Sequence, residues 1–101
     1  MTYLATPYSS PFPDIVRCRF EEACRIAGYL MDRGEVIFCP IAHMHSIAAS
    51  YDLPRDKEFI KLSSKMIVAM MSGWKTSKGV QAEIKMAREL GIPVEYMEVE
   101  S

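Results

Sequence analysis

The sequence predicts an α/β domain: a parallel sheet of four to five strands, sandwiched between helices in a three-layer, flavodoxin-like arrangement. Three observations predict it. Short β-prone runs alternate with amphipathic helical segments along the chain, the pattern of a parallel sheet covered on both faces. One run, "KMIVAM" (65–70), is apolar throughout after its opening lysine, as a central strand buried on both sides should be. The 101 residues suffice for one core and no more, with no repeat and no linker, so residues 1–101 read as one domain.

The elements follow in order. "TYLA" (2–5) is a short strand, and it ends in "TPYSSPFPD", a loop marked by three prolines. A helix is predicted from about Asp14 to Arg33, because Val16, Phe20, Ala23, Ala27 and Leu30 recur at spacings of 4, 3, 4 and 3. Gly34 stops it at the usual C′ position. "EVIFC" (35–39) is the second strand, ended by Pro40. "PIAHMHSIAASYDLP" (40–54) reads as a long connection with room for a helical turn. A second helix is predicted over about Arg55 to Ser64, before the central strand. "SGWKTSKG" (72–79) is a loop.

A third helix follows within "SKGVQAEIKMARELGIPV" (77–94) and ends at Gly91. At about 100° per residue, Val80, Ile84, Ala87 and Leu90 share an apolar face, opposite Gln81, Lys85, Arg88 and Glu89. "IPVEYM" (92–97) is the last strand. Right-handed crossovers and flavodoxin-like winding predict the strand order 2-1-3-4. Ligands of such sheets sit beyond the C-terminal strand ends where the winding reverses, here between strands one and three.

Composition excludes several function classes. A formal net charge of −1 provides no basic field for polymeric nucleic acid. The longest apolar run, Met66 to Met71, is far too short to span a bilayer. "MTYLATPYSS" lacks the basic and long apolar regions of a signal peptide. Three cysteines, Cys18, Cys24 and Cys39, are an odd number without a C-x-x-C pair. They read as small buried hydrophobes in a reducing cytoplasm.

The third helix carries the first chemical signal. Glu83 projects between Ala87 and Leu90, inside the apolar stripe. The helix dipole lowers its pKa and burial raises it, and the expected balance is a desolvated carboxylate held close to ionised. Such a group suits a nucleophile attacking an electron-poor carbon; it could equally brace the helix start. The loop before it offers an anion site: Thr76 or Ser77 as the cap, Gly79 open to close approach, and Lys78 and Lys75 adding charge. The same residues also suit an ordinary capped helix. Ser9 and Ser10 can close this site from the facing loop.

Other residues are candidates for the pocket wall. His43 and His45 share a face if "HMHS" is extended, but no third His exists to complete a metal site, so they read as pocket-lining polar groups. Tyr3, on a central strand, is a core ring whose hydroxyl must find a partner. Trp74 either stacks on a flat ligand or covers the core edge. Asp56 stands where an acid commonly opens a helix.

These stretches resemble the nucleoside 2-deoxyribosyltransferase superfamily, and most closely its DUF1937 branch. The likeness covers nearly the whole chain. It rests on "YLATPYS", "PIAHMHSIA" and "GWKTSKGVQAEIKMARELGIPV". In the superfamily a Gly stands four residues before the catalytic Glu and a small residue four after; here these are Gly79, Glu83 and Ala87. The resemblance implies that Glu83 attacks the anomeric carbon of a deoxyribosyl group, that Tyr3 holds it, and that Asp56 lies near the nucleobase. The chain is shorter than its relatives between "DLP" and the second helix, so Asp56 matches by proximity only.

The transferases carry an Asp six residues before the Glu. Ser77 stands there in this chain, as in the relatives that hydrolyse deoxynucleoside 5′-monophosphates. The resemblance therefore implies cleavage of the N-glycosidic bond of such nucleotides, with base exchange between nucleosides and a non-catalytic nucleotide-binding module as alternatives. It implies no metal or organic cofactor, a small nucleoside or nucleotide as ligand, and a homo-oligomer.

Overall fold

A computed structural model of the chain describes residues 1–46 and 53–99. The elements are β1 (Thr2–Ala5), α1 (Pro13–Asp32), β2 (Ile37–Phe38), α2 (Pro40–Ser46), α3 (Leu53–Lys61), β3 (Lys65–Met70), α4 (Lys78–Glu89) and β4 (Val94–Glu98). The four strands form one all-parallel sheet in the order β2-β1-β3-β4, as the winding predicts.

Strand alternation divides the core into two layers. Leu4, Ile67 and Ala69 point to one face, where they pack with Ala23, Ile26, Ala27 and Leu30 of α1 and Ile41 of α2. Tyr3, Ala5, Met66 and Val68 point to the other, against Ile60 of α3 and Val80, Ile84 and Ala87 of α4. The period of two therefore decides that Tyr3 faces α4.

Local chemistry explains the helix ends. Pro13 opens α1, where its fixed φ is pre-set and its missing N–H costs no hydrogen bond. Gly34 closes it at φ +95°. The N–H groups of Gly34 and Glu35 then reach back to the carbonyls of Met31 and Leu30, at 3.0 and 3.1 Å. Gly91 and Ile92 end α4 in the same pattern, donating to Arg88 and Ala87. Leu90, predicted on the buried face, is the C-cap of α4 and exposed, because the face turns away where the helix stops.

The structure corrects the connection after β2. Pro40 to Ser46 form a helix directly at the strand end. A helix this short is marginal by propensity alone. The buried side chains of Pro40 and Ile41 hold it, and no periodicity in so short a stretch announces that. Residues 47–52 of the predicted connection lie outside the described residues. The second strand is also shorter than predicted, with only Ile37 and Phe38 in the ladder. Cys39 is buried as expected and Cys24 half-buried, but Cys18 is exposed on α1. No described helix is long and apolar enough to cross a membrane.

Candidate active site

Where β1 and β3 end, their following loops diverge and leave a cavity of about 580 Å³. Thr6, Tyr8, Ser9, Ser10 and Pro11 form one wall, and Gly73, Thr76 and the first turn of α4 form the other. Its position is the one the winding rule predicts. Ser77 caps α4: its backbone is extended and its Oγ accepts from the Val80 N–H at 3.3 Å. No described residue accepts from the N–H groups of Lys78 and Gly79, and both residues line the cavity. The helix start thus presents its partial positive charge to the space.

Glu83 lies on the cavity wall, yet its side chain is almost wholly buried. The spacing that placed an acid among Val80, Ile84 and Ala87 turns it inward. Tyr3, fully buried on β1, donates its hydroxyl to Glu83 Oε2. The ring that carries this hydroxyl is itself backed: Phe38 lies 6.0 Å away, and Phe38 stacks on Phe59 at 4.1 Å.

The expectation of an ionised carboxylate is corrected. Burial pushes the Glu83 pKa up to about 8; the Tyr3 hydrogen bond pulls it down, and the nearby Asp56 carboxylate pushes it further up. The helix dipole offers little relief, because its field falls off within the first turn and Glu83 stands beyond it. A carboxyl group with that pKa is mostly protonated at neutral pH.

The structure brings together Ser9, Ser10, Thr76, Ser77, Lys78, Gly79 and Glu83 around one cavity. Tyr3 joins them from behind, through Glu83. Asp56 is buried and close enough to act on Glu83, but it is not part of the cavity wall. Trp74 packs on the core edge, its ring 5.6 Å from that of Tyr96 on β4; it lies outside this cavity and lines a second, more open hollow formed by residues 70–76.

The expectation for His43 is corrected. His43 and His45 are both in α2, so the segment is helical and not the extended stretch that a shared face required. His43 is exposed, its ring 6.1 Å from that of Phe38, and away from the cavity wall. The side chain of His45 lies outside the described residues. Among the described residues no three His, Cys, Asp or Glu side chains gather into a group that could hold a metal ion.

Sequence reasoning missed Thr6, Tyr8, Arg19, Ile41 and Gly73, all on the cavity wall. Arg19 was the most accessible of these. A helix after a parallel strand runs back antiparallel to it, so the first half of α1 must lie beside the strand ends that hold ligands. Only the second half is remote. On a helical wheel, however, Arg19 is one more cation beside an apolar stripe.

Searched against curated proteins, the chain finds no match. A family model described as "Domain of unknown function (DUF1937)" matches residues 1–99. With the match spanning both loops, α4 and the whole sheet, the chain belongs to the DUF1937 family.

Proposed function

We propose that this protein cleaves the N-glycosidic bond of 2′-deoxynucleoside 5′-monophosphates, with Glu83 as the nucleophile. One observation carries the reading: a buried carboxyl group, gripped by a buried tyrosine, opens onto a cavity rimmed by a free helix N-terminus. A buried acid is costly to keep unless it is used. The cavity volume suits a small organic ligand.

In the proposed reaction, ionised Glu83 attacks the anomeric carbon through an oxocarbenium-like transition state. The carbon–nitrogen bond breaks, and its electron pair leaves with the base, which takes a proton from water. Water then attacks the same carbon and releases 2-deoxyribose 5-phosphate; Glu83 leaves as the carboxylate it began as, and the proton this water gives up neutralises the hydroxide left when the base was protonated. The Tyr3 hydroxyl orients the attacking group. Phe12 and Ile15, both apolar and exposed around the start of α1, are positions that a neighbouring copy would cover in a homo-oligomer.

The phosphate is assigned to the start of α4. Charge-assisted hydrogen bonds there contribute roughly 1.5–3 kcal/mol each. Calorimetry is therefore expected to show a deoxynucleoside 5′-monophosphate binding more than about tenfold tighter than its nucleoside. Ser77→Asp keeps a good helix cap but places a negative charge at the anion site, so it should abolish that preference with little change in thermal stability. Equal affinities in the wild type would instead favour base exchange between nucleosides. A Ser77→Asp variant that still preferred the monophosphate would move the phosphate elsewhere. Base release from a panel of deoxynucleotides, without added acceptor base, tests the reaction itself.

A further inference from the structure

Arg19 enters the cavity from α1, outside the loops that the family resemblance singles out. Its guanidinium bridges the two cavity walls. Nη1 donates to the Ser9 carbonyl at 2.8 Å, and Nη2 approaches the Ser72 carbonyl at 3.5 Å. A guanidinium carries more N–H donors than these two contacts use. The loop after β3 is shaped to receive it. Gly73 has φ +87°, and a Cβ built there would come within 2.6 Å of Arg19 Nη2. Glycine serves two needs at this position, the left-handed backbone and the space for the cation.

A second observation points to a ligand in the same space. Thr6, at the end of β1, is 3% exposed and lines the cavity. Its Oγ1 has no hydrogen-bond partner among the described residues. A buried hydroxyl left this way costs free energy until something supplies a partner. Arg19, Lys78 and the N–H groups of the α4 start line the same cavity as Thr6, and the Glu83 carboxyl group is the one acid beside them among the described residues, so donors and positive charges predominate among the charged and polar groups that meet an incoming ligand.

We propose that Arg19 is a ligand-binding residue that clamps a terminal phosphate monoester against the start of α4, with the Thr6 hydroxyl bonding the inner part of the same ligand. The inference rests on reading the cavity as a substrate site but not on the glycosidic reaction. Arginine suits the task because its planar fork matches the oxygens of a phosphate, which a lysine can meet only as a point charge. The carbonyls of Ser9 and Ser72 hold the fork in place before the ligand arrives, so little side-chain freedom is lost on binding.

The test uses probes that carry no base, because the base is not assigned: inorganic phosphate, 2-deoxyribose 5-phosphate and 2-deoxyribose, each titrated into the full chain by calorimetry. The wild type is expected to bind 2-deoxyribose 5-phosphate more tightly than 2-deoxyribose. Arg19→Gln should weaken both phosphate probes by at least about tenfold, and Arg19→Lys should restore part of the loss. Thr6→Val, nearly isosteric, should keep the melting temperature and weaken 2-deoxyribose 5-phosphate. Phosphate affinity unchanged in Arg19→Gln overturns the proposal. So does a loss that falls equally on 2-deoxyribose, which would make Arg19 only a clasp between loops. If the Arg19 dependence holds while no deoxynucleotide releases its base, the anion clamp stands and the glycosidase reading falls. Base release without Arg19 dependence overturns the clamp and leaves the glycosidase reading standing.

Discussion

Glu83→Gln is expected to abolish base release, by at least roughly a thousandfold, while making the fold more resistant to alkaline pH. The two effects share one cause. In the folded chain the Glu83 pKa stands near 8, above its usual value of 4.5, because burial disfavours the charged form. A pKa raised on folding contributes stability that is fully present below the unfolded value and is lost as pH rises through the folded one. Wild-type stability should therefore fall from about pH 4.5 to about pH 8, by on the order of a few kcal/mol from this group.

Glutamine resembles the protonated acid and cannot ionise, so the variant should lack that decline. Thermal unfolding at pH 5 and pH 9 reads the difference directly. Parallel pH profiles for the two proteins would mean that Glu83 titrates normally, and its burial would then need another account. The kinetic counterpart has the opposite slope. A nucleophile must be ionised, so kcat/KM of the wild type should rise with pH, reach half its maximum near pH 8 and level off above it. Residual base release at the wild-type rate in Glu83→Gln would remove the residue from the mechanism.

Tyr3→Phe is expected to lower the rate by about a hundredfold through lost orientation of Glu83. The fold should persist, because Phe fills the same space between Phe38 and α4. The informative readout is the pH profile. The Tyr3 hydroxyl lowers the Glu83 pKa by stabilising the carboxylate, so its removal should move the rising limb of kcat/KM to higher pH. A purely structural tyrosine would leave the position of that limb unchanged, whatever it did to the rate. Tyr3 acts through Glu83 and is a positioning residue in this scheme.

Much of this arrangement was legible in the amino-acid order. The period of α4 put Glu83 on the inner face, the central position of β1 made Tyr3 a core ring, and Gly34 and Gly91 marked helix ends. These are local rules, and a run of a dozen residues suffices to state them. The strand order followed too, since crossover handedness leaves few ways to wind alternating strands and helices.

Three things only the tertiary structure decided. The helix over Pro40–Ser46 exists because Pro40 and Ile41 are buried, and it leaves His43 off the cavity wall. The protonation of Glu83 depends on how completely the surrounding elements exclude water and on how near Asp56 comes. Arg19 joins the site because α1 folds back beside the strand ends and Gly73 leaves it room. Each depends on residues far apart in the chain. Periodicity reports which face a side chain takes, whereas desolvation and charge proximity are set by whatever the fold brings against that face.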